Sequence, residues 1–314
     1  MDHISALLDG PRACDAFLLR TVMDPPWSMR IEDESPLTVI AVTTGRVWIV
    51  KDNKRFKVEA GGVAIVSGPE PYLVADDPDR EPHIVVHPGQ VCTTLRGDAL
   101  PLSMHLGVRT WGNGTLHGQA VMLIGTYVYT SALCQDLLGA LPPVAIVAAN
   151  QDRTLVDLLA REIVHDALGQ QTFLDRLLDL LLIDTLRTWY LQNAVAAPAW
   201  WRAHGDPIVG HSLRLLHDSP ERPWTIAELA STVGVSRANL ARRFTELMGE
   251  PPITYLTNWR LSLAADLLAD PDMTVTSVAN QVGYSSPFAL STAYKRRFGQ
   301  SPHQHRRTEA RYIG

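Results

Sequence analysis

The residues of this sequence that are best suited to chemistry are basic and hydrogen-bonding side chains that follow two similar turns near the C-terminus. Guanidinium and ammonium groups bind phosphate oxygens, and an arginine also donates two hydrogen bonds to guanine in the major groove of DNA. Apolar side chains beside them can contact a thymine methyl group. Both kinds are candidates: Ser236, Arg237, Ala238, Ala241, Arg242 and Arg243 after the first turn, and Ser285, Ser286, Phe288, Ala289, Thr292, Lys295 and Arg296 after the second. Their chemistry indicates recognition of double-stranded DNA.

These residues belong to a unit that occurs twice, with a period of about 50 residues. The first copy contains Ala230, Gly234, Ser236, Leu240 and Phe244, and the second contains Ala279, Gly283, Ser285, Leu290 and Tyr294. The alanine lets two helices cross closely, the glycine adopts the left-handed conformation of a tight turn, and the serine can cap the next helix. The repeat predicts two helix–turn–helix units, a shape that places a helix in the major groove.

Residues 254–269 lie between the two copies, and Leu256, Trp259, Leu263 and Leu267 form one apolar stripe along them. This pattern predicts an amphipathic linker helix. Such a helix holds the two recognition helices at a fixed separation, about 34 Å if they enter successive major grooves. We expect phosphate contacts from Arg237, Arg243, Lys295, Arg296 and Arg297, and from the helix N-termini at Ser236 and Ser285.

The segment GYSSPFALSTAYKRRFGQSP at residues 283–302 resembles the signature of AraC-family transcription regulators, as do WTIAELA at 224–230 and YLTNWR at 255–260. The resemblance implies a two-motif DNA-binding domain that activates or represses promoters, with RNA polymerase as a further partner. It implies base contacts from Ala238, Ala241 and Arg242 in the first copy, and from Phe288, Ala289 and Thr292 in the second. Two positions depart from the family pattern, because Thr292 replaces a frequent arginine and His305 replaces a usual tyrosine.

Charge is distributed unevenly along the 314 residues, whose net charge is −5. The segment from Arg222 to Gly314 has 11 basic and 7 acidic residues, a net of +4, whereas the rest of the chain has 17 and 26, a net of −9. A basic module attached to an acidic one predicts that only the C-terminal part approaches DNA phosphates.

The first 145 residues contain short β-rich segments at 37–42, 46–50, 56–58, 63–66 and 121–128, separated by turn residues such as Asp52-Asn53. This spacing predicts a sandwich or barrel, and the fold class is α+β. The run VEAGGVAIV at 58–66 resembles the glycine corner of cupin barrels. We therefore expect a cupin-like sensor domain at 1–145, a helical dimerisation and linker region at 146–205, and an all-α domain with two helix–turn–helix motifs at 206–314.

A small barrel can enclose one small ligand, and Trp27, Trp48, Tyr72, Trp111 and Tyr127 are the candidate lining residues. The alternative is that these aromatic residues are ordinary barrel core. Cys14 and Cys92 are candidates for a redox pair, against the alternative of inert buried thiols.

The histidine pattern of metal-binding cupins is absent, although His83 and His87, with His117, offer a possible metal site against the alternative of structural histidines. We find no catalytic constellation and expect no cofactor, no metal and no enzymatic activity.

Two helices are expected at 154–168 and 172–193, and the second carries a wide apolar stripe that includes Leu178 and Leu182. Part of this stripe can pair with the same helix of a second subunit, as the family resemblance favours. No secretory signal or membrane span is evident, so we expect a cytoplasmic location. From the family resemblance we expect a homodimer that binds a promoter and an unknown small-molecule effector. The alternatives are a cupin enzyme or small-molecule sink with a weak DNA reader, a redox-sensing regulator, and a barrel that is only a dimerisation scaffold.

Overall fold

The computed structural model describes residues 16–115, 118–127, 139, 141–149, 153–195, 197–270 and 272–309. These residues form two compact units, one that ends at Asn193 and one that begins at Ala194. None of the described helices is long and apolar enough to span a lipid bilayer.

The first unit is built from strands that form two sheets. The strands are β1 (Phe17–Met23), β2 (Ser28–Ile31), β3 (Leu37–Thr44), β4 (Arg46–Lys51), β5 (Lys54–Glu59), β6 (Val63–Ser67), β7 (Tyr72–Ala75), β8 (Ile84–His87), β9 (Val91–Thr94), β10 (His105–Gly107), β11 (Thr110–Trp111), β12 (Ala120–Tyr127) and β13 (Val144–Val147). Among the described residues, one sheet has the order β10-β11-β1-β12-β3-β6-β13 and the other the order β5-β4-β7-β2-β8-β9. Apolar side chains from both sheets form one buried core, which is the arrangement expected for a cupin-like barrel.

All five strand segments expected from the sequence are confirmed, as β3, β4, β5, β6 and β12. The turn between β4 and β5 is also confirmed, because Asp52 and Asn53 both have positive φ, at 51° and 59°. Asp and Asn tolerate this conformation better than most residues, and two such residues in succession close a tight hairpin. The strands that the sequence did not reveal include β2, β7, β8 and β9, each only four residues long, too short for a clear alternation.

Two helices complete the first unit, α1 (Thr154–Glu162) and α2 (Gln170–Gln192). The first ends six residues earlier than expected. The side-chain amide of Gln170 donates to the Glu162 carbonyl, and its oxygen accepts from the Ala167 amide at 2.9 Å. This side chain therefore satisfies backbone groups that a longer helix would have paired internally.

All regular elements that the structure describes in the second unit are helices. Its helices are α3 (Ala199–His204), α4 (Val209–Asp218), α5 (Ile226–Thr232), α6 (Arg237–Met248), α7 (Pro252–Ala269), α8 (Val275–Gln281), α9 (Pro287–Phe298) and α10 (Pro302–Glu309). The linker helix expected at 254–269 is confirmed as α7, but the expectation of a single buried stripe was wrong. Leu263 and Leu267 are only partly buried, whereas Leu261, Ala264 and Leu268 are fully buried. The reason is that α7 packs against α6 on one side and against α8, α9 and α10 on others.

Candidate nucleic-acid interface and barrel cavity

The two turns of the second unit have the same backbone geometry. Gly234 and Gly283 have φ of 76° and 78°, in the left-handed region that glycine occupies without strain. The backbone amide that follows each glycine donates to the carbonyl of the alanine in the same copy, from Val235 to Ala230 at 2.9 Å and from Tyr284 to Ala279 at 2.8 Å. The repeat in the sequence thus corresponds to a repeat of helix–turn–helix structure.

The helices that follow these turns, α6 and α9, are capped by serine side chains. The Ser236 hydroxyl accepts a hydrogen bond from the backbone N–H of Asn239, and the Ser286 hydroxyl accepts one from the backbone N–H of Ala289, both at 3.2 Å. The expectation that Ser285 caps the second helix was therefore wrong. The extra residue of the second copy lies in the turn itself, so the cap moves one position along the chain.

The cap position sets which residues of the two helices are equivalent. Counted from the caps, Phe288 corresponds to Ala238 and Thr292 to Arg242, but Ala289 corresponds to Asn239. The position equivalent to Ala241 is Ser291, a hydrogen-bonding residue that sequence reasoning missed. Only the displacement of the cap identifies it, because the turn serines taken alone suggest a register that differs by one residue.

Each helix buries two residues and leaves its opposite face exposed. Leu240 and Phe244 are buried in α6, and Leu290 and Tyr294 are buried in α9. The exposed candidates are Ser236, Arg237, Ala238 and Arg242 on the first motif and Ser285, Phe288, Thr292, Lys295, Arg296 and Arg297 on the second, while Ala241, Arg243, Ser286 and Ala289 are partly buried. Phe288 is 82% exposed, which is unusual for a side chain of its size and leaves it available for contact with a base.

Arg242, the candidate for guanine recognition, is engaged within its own helix. Its Nη1 atom lies 2.8 Å from both carboxylate oxygens of Glu246, and its Nη2 atom donates to the Asn239 oxygen at 3.3 Å. The pair is solvent-exposed, at 61% for the arginine and 56% for the glutamate. Such exposed pairs contribute little to stability, so the guanidinium can exchange Glu246 for a base edge.

Arg243 pairs with a residue outside its own helix. Its Nε and Nη2 atoms bind the Asp206 carboxylate, with distances of 2.9 and 2.6 Å to Oδ2. Asp206 also accepts from the amides of Ile208 and Val209 at 3.0 and 2.9 Å, at the start of α4. Burial raises the pKa of Asp206, but these hydrogen bonds outweigh burial and lower it below its ordinary value. Arg243, expected to contact phosphate, thus braces α4 against α6.

A further connection joins the two motifs. Arg260 of α7 donates to the carbonyls of Pro220 and Arg222 at 2.5 and 2.7 Å, which holds the loop between α4 and α5. This loop lies directly against the second turn, because a Cβ atom placed on Gly283 would meet the Glu221 oxygen at 2.5 Å. The segment that precedes the first motif is therefore packed on the turn of the second.

The first unit contains a cavity of about 370 Å³. Tyr72 and Trp111 line it, and both are 8% exposed. The other three aromatic candidates lie elsewhere. Strand alternation turns Trp48 and Tyr127 to the opposite faces of β4 and β12, where the Tyr127 hydroxyl donates to Asp179 at 3.2 Å, and Trp27 is fully buried in the core beside a second, more polar cleft.

The redox and metal candidates are only partly covered by the described residues. Cys14 and His117 lie outside them. Cys92 is partly buried beside the cavity, and burial raises the pKa of its thiol, which disfavours the reactive thiolate. His83 is exposed, and His87 pairs with the Thr93 hydroxyl at 2.9 Å. In the part of the chain that the structure describes, no group of three or more His, Cys, Asp or Glu residues is arranged to hold a metal ion.

Comparison with known proteins gives matches for both units. Residues 2–190 match the profile of a cupin family, and residues 229–308 match that of a helix-turn-helix domain. The HTH-type transcriptional regulator AlkR of Acinetobacter baylyi is 35% identical over 98% of this chain and 99% of its own. An AraC-like transcription regulator of Streptomyces lividans is 29% identical over 90% of each chain. Among solved structures, the DNA-binding domain of AdpA in complex with a target DNA is 30% identical, covers 34% of this chain and 96% of that chain, and has a TM-score of 0.32.

Two capped, exposed recognition helices in tandem, joined to a β-barrel unit, define a DNA-binding protein with paired helix–turn–helix motifs. With the two family matches and the two relatives, the class is that of transcription regulators. The chain belongs to the AraC family, in the group whose N-terminal domain is a cupin.

Proposed function

We propose that this regulator reads an operator through α6 and α9, and that its cupin barrel binds a small-molecule effector that controls this reading. The observation that supports the first part is the repeated exposed face opposite a buried pair on each helix. Arg242 is the base-reading residue of the first motif, since arginine recognises guanine, and Ala238 and Ala241 offer only methyl contacts to thymine. Phe288, Ser291 and Thr292 provide the second reading surface. Arg237, Lys295, Arg296 and Arg297 bind phosphates.

We further propose three functional regions: a sensor at 1–145, a dimerisation region expected at 146–205, and the DNA reader. The boundary between the last two regions changes, because α3 belongs to the reader. The compact unit that begins at Ala194 includes α3, and a Cβ atom on Gly210 would collide with the His204 carbonyl. This close packing supports a reader that includes Ala199–His204. In this proposal the regulator carries out no catalytic step. It acts in the cytoplasm, where chromosomal DNA is exposed. There it changes the access or recruitment of RNA polymerase at its promoter.

The reading proposal is tested with a DNA site obtained by selection from random-sequence duplexes with the wild-type chain. Arg242→Ala should weaken binding to the selected site by about 1–3 kcal/mol and should weaken binding to random DNA much less. Arg214→Ala, which removes another exposed charge from α4 in the same unit, is the matched control. Equal losses of Arg242→Ala on both DNAs would assign Arg242 to a phosphate contact and contradict the proposal.

The dimer is proposed to form through the exposed face of α2. Phe173, Leu180 and Leu191 are 48%, 49% and 75% exposed, and their spacing of seven and eleven residues puts them on one side of the helix. Asp184 and Arg187 lie on the same side, so the surface is complementary to a second copy of itself in a two-fold contact. Leu178 and Leu182, the residues singled out from the sequence, are each 1% exposed and belong to the protomer core, where Leu178 packs against Gly125.

Sedimentation tests this interface. Leu180→Glu should give a folded monomer with weakened affinity for a two-site operator, because dimerisation raises the effective concentration of the second reader. Leu178→Glu should instead unfold the first unit, since an unpaired buried carboxylate costs several kcal/mol. Val164→Glu, a change at a 41% exposed position after α1, is the control that should leave the dimer intact. A Leu180→Glu chain that remains dimeric contradicts the interface.

A further inference from the structure

The exposed face of the second motif begins with a large apolar side chain. Phe288 is the second residue of α9 after its cap, Ser286, and it is 82% exposed. In the first motif the equivalent residue is Ala238, whose side chain is a single methyl group. An exposed phenylalanine alone does not make a binding site, but the first residues of a recognition helix are the ones that contact base edges.

The side of α9 that carries Phe288 lies opposite the side that packs on the protein. Leu290 and Tyr294 are fully buried, and each lies two residues after an exposed one, Phe288 or Thr292. Two residues correspond to about 200° of rotation around a helix, and residues four apart lie one above the other. Phe288 and Thr292 therefore form one outward strip. Basic residues of the last turn continue α9 towards its C-terminus, and these charges favour DNA over an apolar protein surface as the partner of the strip.

This strip has little capacity for hydrogen bonds to bases. The Thr292 hydroxyl donates to the Phe288 carbonyl at 3.0 Å, which uses the only donor of the threonine side chain. The equivalent residue of the first motif is Arg242, whose guanidinium carries several N–H donors. Ser291, beside the strip, can donate or accept and so does not by itself distinguish one base from another. Selective recognition at the start of α9 therefore depends on apolar contact.

We propose that Phe288 binds the methyl group at C5 of one pyrimidine in the major groove, so that the second motif reads thymine and 5-methylcytosine alike. The C5 methyl group of thymine is the apolar feature of the base edges in that groove, and 5-methylcytosine carries the same group on the same ring atom. A phenyl ring forms no conventional hydrogen bond, so it cannot distinguish the O4 atom of thymine from the N4 amino group of cytosine. This inference rests on the proposed reading of an operator by α9 and names the chemical group that is read.

The test uses the full-length chain and the selected operator, in which each thymine is replaced in turn by deoxyuridine, a change that removes only the methyl group. At one position at least, wild type should lose affinity about threefold to fivefold, the effect of burying one methyl group less. Phe288→Ala should reduce this loss to less than about twofold, because the shorter side chain withdraws the ring from the base. Leu102→Ala, a change at an 85% exposed position of the first unit, is the matched control and should leave every loss unchanged.

The position that depends on Phe288 is then occupied by a cytosine–guanine pair, with and without a methyl group at C5 of the cytosine. Methylation should strengthen binding by wild type about threefold to fivefold, the same factor that separates thymine from uracil, because each comparison adds one methyl group to an unchanged base pair. In Phe288→Ala, methylation should change the affinity less than about twofold.

Three results overturn the inference: no thymine whose replacement depends on Phe288, no effect of methylation at the position that does, and binding of the selected operator by Phe288→Ala as tight as that by wild type. Thermal unfolding of each variant provides the control for folding. Arg242→Ala is measured on the same duplexes. A chain whose preference for the operator depends on Arg242, with no thymine that depends on Phe288, overturns the methyl reading alone, whereas a chain with no preference for any duplex contradicts the proposed function.

Discussion

The equivalent turn glycines of the two motifs should respond very differently to the same substitution. Gly234→Ala and Gly283→Ala both place a side chain in the left-handed region, which costs about 1–2 kcal/mol. At Gly234 nothing lies within 4 Å of the new Cβ atom, so this is the whole cost. At Gly283 the Cβ atom would lie 2.5, 2.7 and 2.8 Å from the backbone oxygen, Cα and carbonyl carbon of Glu221, distances at which the loop must move.

Movement of that loop is opposed by Arg260, whose guanidinium holds the carbonyls on either side of Glu221. Hydrogen bonds to a charged group contribute about 1.5–3 kcal/mol each, so the loss of one or both raises the expected cost of Gly283→Ala to about 2.5–8 kcal/mol. Gly234→Ala, at the corresponding position, is the matched control.

Hydrogen exchange on the full-length chain is the suitable assay, because it reports opening free energies locally and does not require the two units to unfold together. Gly234→Ala should accelerate exchange modestly in α5 and α6. Gly283→Ala should accelerate exchange strongly in α8 and α9, and also in the loop at 219–224. Equal loss of protection in the two motifs would refute the role assigned to the contact between Glu221 and Gly283.

Asp206→Ala should lower the stability of the second unit by about 1–2 kcal/mol, because two amides at the start of α4 lose their acceptor, and urea unfolding measures this. Since the bonds from Arg243 and these amides lower the pKa of Asp206 despite burial, its contribution in wild type is complete above about pH 4 and is lost as the pH falls through the lowered value. The stability difference between wild type and Asp206→Ala should therefore shrink only below that pH, and a difference that is constant down to pH 2 contradicts the assignment. A fragment of residues 197–314 should show a cooperative thermal transition by circular dichroism, at a higher temperature than one of residues 206–314, which lacks α3; equal transitions would show that α3 is dispensable. Phe288→Ala should leave stability within about 0.5 kcal/mol of wild type, because the side chain is 82% exposed, and should weaken operator binding more than random binding; a loss of stability would assign Phe288 to packing instead.

Much of the architecture is evident from local patterns in the sequence. The period of about 50 residues, the turn glycines and the apolar pairs at a spacing of four are local features, and each is present in the structure at its expected place. The β4–β5 hairpin was likewise predictable, because Asp52 and Asn53 favour positive φ between two alternating segments. Five strands and the linker helix follow from periodicity in the same way.

Partners at long sequence separation were not predictable. Arg243 reads as a phosphate ligand from its helix position alone, and only the fold brings Asp206, 37 residues away, against it. The cap of the second helix depended on how the turn accommodates one extra residue. The face of α7 was misjudged because its buried sides depend on how α6, α8, α9 and α10 pack around it, and local periodicity does not encode that packing.

By itself, the sequence determined the class of this protein: a cupin-like barrel followed along the chain by two helix–turn–helix units, since turns and apolar spacing depend on residues within one or two helical turns of each other. The tertiary structure alone decided which side chains are available for recognition. It paired Arg243 with Asp206, left Phe288 exposed, and placed Tyr72 and Trp111 but not Trp48 or Tyr127 on the cavity wall. The physical reason is that burial and hydrogen-bond pairing depend on the packing of distant segments, which local periodicity does not encode.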